Sequence, residues 1–289
     1  MPDEDRVHAL FTSLREATQP APPRDEPEAA PELPGADDAD DPATAAETTE
    51  PPAAPQTEPA DAELSGDGLL RAARDEMLDD LVTGVLRVAK RLLQDQQNEL
   101  LDATRRARGR IDGTRLVPDP DTTRRAWALV LTPAVGEAYG AGRRLAGRKP
   151  RGTTSPQRLV DELSGEAGAP LHDRLMATIE AVVAEGPYES TNELRRVLAT
   201  AIGARYREFR QRDLEPLLGD LLAAAYARGA YDGAPSGAQL RWVPAAIGQC
   251  PDADDNALEP TVKGRAFPTG QHCPPAHPGC RCVVVPTDA

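Results

Sequence analysis

Between Asp67 and Arg110 the apolar positions Leu78, Leu81, Val85, Val88 and Leu92 recur in steps of three and four; a polar stretch, QDQQNE, interrupts them, and Leu100 and Leu101 resume the stripe. That period belongs to a helix, and Gly109 and Gly113 with Pro118 and Pro120 predict where it closes. With fewer than about three clean heptads, packing within its own domain is expected rather than a coiled coil. A second helix is predicted after the capping residue Asp121, over TTRRAWALVLTPAVGEAYGAGRRLAG. Pro133 is expected to kink it, and Gly136, Gly140 and Gly142 to let a neighbouring helix come close. After RKPRGTTSP, further helices are expected at about 156–163, 170–185, 190–209 and 211–231. Ser190 with Glu193 forms a capping-box start for the third of these, and Leu214, Leu217, Leu218, Leu221, Leu222, Ala225 and Tyr226 give the last a broad apolar face.

Beyond residue 233 the period changes. AQLRWVPAA at 238–246 alternates as a short strand around Arg241, Trp242 and Val243, and RCVVVP at 281–286 reads as another. The Gly, Pro and Asp-rich stretch between them holds too few apolar residues for a core of its own and calls for a staple. At the other end, DEDRVHALFTSLREA sets Val7, Leu10, Phe11 and Leu14 on one face, a short amphipathic helix over 4–17. From Thr18 to about Ala60 follow Pro, Ala, Glu, Asp and Thr, with too little apolar surface to offset the entropy of ordering. The expected fold class is mainly α: a disordered acidic Pro/Ala-rich arm over 1–66, an α-helical domain over 67–233 and a small C-terminal β-rich, Cys/His-rich module over 234–289.

Charge sharpens this division. Residues 1–68 carry 18 acidic and 3 basic side chains, and the rest of the chain 29 and 30, so the acidity belongs to the arm. RRARGR at 105–110 and RRLAGRKPRG at 143–152 are basic, but aromatic residues make up only 3% of the chain, which leaves phosphate contact as the most they offer a nucleic acid. No apolar run approaches the roughly 18 residues that cross a bilayer, and MPDEDRVHAL carries acids where a signal peptide has a basic segment. A cytoplasmic protein without a membrane span is expected.

The candidate chemistry lies in HCPPAHPGCRC at 272–282, which holds three of the four cysteines and two of the four histidines. Zinc takes four sulfur or imidazole ligands in a tetrahedron. His277 and Cys280 have the spacing of a tight knuckle, and Cys280 and Cys282 alternate so as to point the same way. The ligand set expected for a structural zinc is Cys250, Cys273, Cys280 and Cys282, with His277 competing for a place. Buried free thiols beside a hydrogen-bonded histidine remain open as an alternative, as do disulfides in an oxidising setting such as a virion outside the cell. A catalytic cysteine with His277 as its base would still need an oxyanion hole and an orienting carboxylate, for which the segment has no motif. A zinc deaminase needs His-x-Glu and Pro-Cys-x-x-Cys, where this chain has His-Pro-Gly and Cys-Arg-Cys.

LRWVPAAIGQCPDADDNAL followed by GRAFPTGQHCPPAHPGCRCVVVP resembles the C-terminal module of the head morphogenesis proteins of tailed phages, the family of the Mu protein F-like minor capsid proteins. The resemblance rests on Trp242, Cys250, Asn256, the turn from Phe267 to Gly270 and the run from Pro274 to Cys282, and it covers about residues 220–287. Where members commonly have Cys-x-x-Cys this chain has Cys250-Pro251-Asp252-Ala253, so Cys273 would stand in for the missing thiol; the Arg-Thr-Glu signature of the preceding helix is not evident in AAYARGAYDGA. The resemblance implies a helical domain feeding a metal-stapled β module, used as a minor head component near the portal or as a carrier of other domains, with no chemistry of its own.

Three functional readings follow. The first is a non-enzymatic structural or assembly protein that contacts portal or capsid subunits and is virion-associated if phage-encoded. The second is a host scaffold, in cell division or at the envelope, that homo-oligomerises through the 67–110 helix. The third is a carrier of a toxin or hydrolase, for which the helical region offers no paired carboxylates, phosphate loop or His cluster; His172, beside Leu171, reads as a capping or surface residue. Asp252, Asp254 and Asp255 read as a solvated acidic turn, and Arg281 as a donor to thiolate or backbone around the metal.

Overall fold

A computed structural model describes residues 66–108, 111–147, 156–245 and 250–287. The arm and its predicted helix over 4–17 lie outside the described residues, as do parts of both basic stretches.

Helix α1, Gly66–Arg106, buries Leu78, Val82, Val85, Ala89, Leu93 and Leu100, a face turned by part of a helical turn from the stripe expected at Leu81, Val88 and Leu92. A one-turn helix, α2 (Gly113–Leu116), follows, capped by the Asp112 carboxylate, which accepts from the Thr114 N–H at 2.9 Å. Helix α3 is Pro120–Leu145. Its cap is Asp119 rather than the expected Asp121, because Pro120 takes the first helical position, where a missing N–H costs nothing, and Asp119 accepts from Thr122 N at 3.0 Å. The helix runs on through Pro133; the carbonyl left without its donor belongs to Leu129, which is 83% exposed and open to water.

Helix α4, Gln157–Ala184, is continuous where two helices were expected. The intervening SGEAGAP is rich in breakers, but a Cβ on Gly168 would lie 2.6 Å from Thr123 Cγ2, so the small residues seat α4 against α3. Pro170 leaves only the carbonyl of the exposed Glu166 unpaired. As a result His172 sits in mid-helix beside Asp173, not at a start. Helix α5, Thr191–Glu208, begins as predicted at Ser190, whose Oγ accepts from the Glu193 N–H at 3.2 Å. A π-helical turn, Phe209–Asp213, carries it without a break into α6, Leu214–Gly233.

Helices α3 and α6 make the most extensive contact. At their crossing a Cβ on Gly142 would come within 2.0 Å of the Tyr226 carbonyl oxygen, and one on Gly229 within 2.0 Å of the Tyr139 carbonyl oxygen.

The C-terminal segment forms a three-stranded antiparallel sheet, β1 (Gln239–Val243), β2 (Thr261–Val262) and β3 (Val283–Pro286), in the order β2-β1-β3. Strand β1 is central, with Trp242 opposite Val284 and Val243 opposite Val283. Alternation divides the sheet into two working faces. Val243, Val283 and Val285 join the core of the helices, while Leu240, Trp242 and Val284 face a second small core with Phe267, Ala253, Cys250, Cys280 and Cys282. The architecture is thus mainly helical with a small C-terminal sheet. No described helix is long and apolar enough to cross a membrane.

Candidate metal centre

Two segments deliver the three sulfurs. Cys250 precedes a short helix, α7 (Ala253–Ala257), and Cys280 and Cys282 lead into β3, whose pairing with β1 fixes them beneath Trp242. The Trp242 and Phe267 rings meet edge to face with centroids 5.0 Å apart and wall the site. The Phe267–Gly270 turn is held by Asn256: its Oδ1 accepts from the Thr269 N–H at 3.1 Å and its Nδ2 donates to Thr269 Oγ1 at 2.8 Å. Gly270, at φ +97°, adopts a conformation that side-chain-bearing residues avoid.

The Sγ atoms of Cys250, Cys280 and Cys282 lie within 4.8 Å of one another. All four cysteines are free thiols, and these three are 8%, 2% and 5% exposed, so the cluster is closed to solvent. The Cys280 thiol is pushed down to about 5, chiefly because the Cys282 thiol donates to it and because backbone N–H groups at Ala276 and Cys282 point at its sulfur. Cys282, whose proton is held in that hydrogen bond, is pushed up, and Cys250 is raised mainly by burial. One thiolate stabilised by two neighbouring thiols is what a trio of sulfurs does without a cation; with one, all three can ionise.

Among the described residues, two buried polar atoms of this module have no hydrogen-bond partner. Trp242 Nε1–H, without a partner at hydrogen-bond distance among the described residues, points toward the Cys282 sulfur and favours its anionic form. His277 Nε2 is buried and unpaired, while Nδ1 lies 2.8 Å from the Pro278 carbonyl oxygen. A carbonyl oxygen only accepts, so Nδ1 is the donor in that contact and Nε2 is the ring nitrogen left for another partner. The donor set therefore fits a soft or borderline cation: the three cysteines could hold a metal ion, and His277, on the turn before Cys280, lies outside the group of atoms within 4.8 Å of one another.

Cys273 is not among the three. Its thiol faces Arg228 and Asp232 of α6 and is pushed up to about 11 by burial. Arg281 reaches the Asp220 carboxylate at 2.7 Å and the Cys280 carbonyl at 3.2 Å, so it serves backbone and α6 rather than a thiolate. Asp220 also accepts from the Gly279 N–H at 3.0 Å, docking the knuckle turn onto α6. Asp254 and Asp255 are exposed in α7.

Sequence reasoning missed the anchors from α1. Asp67 makes a two-pronged ion pair with Arg241 at 2.6 and 2.7 Å, Arg71 donates to the Pro244 carbonyl at 3.2 Å, and the buried Arg74 donates to the Arg281 carbonyl at 2.5 Å. Their spacing of four and three residues puts them on one helical face, which was the available signal, but nothing local names their partners. The chain matches no known family model, no curated protein and no solved structure.

Proposed function

We propose that this protein is a non-enzymatic assembly protein of the kind its C-terminal motif resembles, a minor head component that contacts portal or capsid subunits. Its C-terminal module is stapled by a structural zinc on Cys250, Cys280, Cys282 and, as fourth ligand, His277. The observation that carries this reading is the closure of the cluster: three sulfurs buried between an aromatic wall and a sheet whose other face belongs to the helical core. Catalytic zinc keeps a position open to water and substrate, whereas structural zinc is enclosed. Bound there, zinc supplies no reaction; it joins the loop before α7 to the turn before β3. Cys273 supports this choice of ligand by standing apart against α6, and His277 by its unpaired Nε2.

The test uses the full chain purified under reducing conditions. About one zinc per chain is expected, falling to near zero in Cys280→Ser and Cys282→Ser and strongly reduced in His277→Ala, with Cys273→Ser unchanged. A compact, metal-free protein with reduced thiols overturns the staple. For the assembly role, portal and capsid genes are expected beside this one, and the chain co-expressed with their products is expected to co-sediment with portal rings; a neighbourhood without such genes, or sedimentation apart from the rings, removes the head-protein reading.

A further inference from the structure

We propose that α1 carries a self-association surface, occupied by a second copy of this chain lying antiparallel across Gly84. At about 100° per residue, Gly66, Leu70, Ala73, Met77, Leu81, Gly84, Val88 and Leu92 form one line along α1 beside its buried face, without a polar side chain among them. The inner residues Leu70, Met77, Leu81 and Leu92 lean against the core and are half-buried, while Ala73, Gly84 and Val88 are exposed, Val88 by 52%. A Cβ on Gly84 would meet nothing within 4 Å, so another backbone can approach there.

Charge decides what covers the line. Exposed acids, Glu76, Asp79 and Asp80, precede Gly84, and exposed bases, Arg87, Lys90 and Arg91, follow it. None of these six has an ion pair among the described residues. In a parallel pair like charges would stand side by side. In an antiparallel pair crossing at Gly84, Asp80 of one copy meets Arg87 of the other, both lying on the same flank of the line, and the two-fold axis repeats the pair. Such self-complementarity is the mark of a two-fold interface rather than of a seat for an unrelated helix. This surface is independent of the metal site.

The mass of the full chain, measured by sedimentation under reducing conditions over a wide range of concentration, tests the proposal. A dimer is expected. Val88→Glu should abolish it while leaving the helical circular dichroism unchanged. Arg87→Asp should weaken it roughly tenfold, since two ion pairs become two repulsions, and the double swap Asp80→Arg with Arg87→Asp should restore it. A wild-type monomer overturns the proposal, as does a dimer indifferent to Val88→Glu or a double swap that restores nothing. A dimer that forms only after residues 1–65 are removed would assign the line to the arm instead.

Discussion

Asn256 devotes its side chain to one neighbour. It is fully buried, and both its polar atoms are taken by Thr269, so the turn behind the sulfur cluster hangs on two hydrogen bonds from one residue. Asn256→Ala should lower stability by about 1 to 3 kcal/mol, because the half-buried Thr269 loses both its partner for the N–H and its donor to Oγ1, and urea melts read this directly. Nothing in the periodicity marks this clamp; only the motif resemblance singled it out. The cluster itself was partly legible. Cys280 and Cys282 are two residues apart, and their convergence follows from that spacing alone. Cys250 arrives from thirty residues away along loops whose course no pattern encodes, and the same ignorance placed Cys273 with the ligands when its thiol faces Arg228 and Asp232. For the proposed zinc, the thiols also set a pH dependence of binding. Cys250 and Cys282 keep their protons above the usual thiol range, so loading zinc near neutral pH must release protons, and affinity should fall as pH falls. Calorimetry in buffers of different ionisation enthalpy measures the number released.

Among the elements, the helices were readable wherever packing and propensity agree, as at Ser190 and along α6. They were misread where a breaker serves a contact. Gly168 and Pro170 look like an interruption by local rules, yet the glycine is there because Thr123 and Trp127 stand where a side chain would go. At the crossing of α3 and α6 the expected close approach at Gly142 has a counterpart in Gly229, which no pattern announced. Gly229→Ala should be destabilising by about 2 to 4 kcal/mol, since its methyl group would collide with backbone that cannot rotate aside. Thermal melting of that variant against Gly203→Ala, whose methyl group would meet only the Gln97 side-chain nitrogen at 3.8 Å, separates this collision from the general effect of replacing a helical glycine.

For the molecule as a whole, the first two turns of α1 and the C-terminal sheet are fastened together by Asp67, Arg71 and Arg74. The Arg241 guanidinium holds the Asp67 carboxyl below the usual carboxylate range, mainly by direct hydrogen bonding. A depressed carboxylate stabilises the fold above its unfolded value, and that share is lost as pH drops through the folded one. Asp67→Asn should therefore melt lower than the parent near neutral pH, with the gap closing below about pH 4 and narrowing in high salt, since both side chains are partly exposed. None of these ties was legible, because each joins positions more than 170 residues apart. The order of the sheet has one further result. The middle strand is made early and its second neighbour, Val283–Pro286, is made last. While the chain emerges from the ribosome, Trp242 has no cover opposite it and the helices lack two of their valines, Val283 and Val285. A message cut short by a few codons before Val283 should yield a protein that stays open along this seam and is cleared by proteases, although every helix has been synthesised.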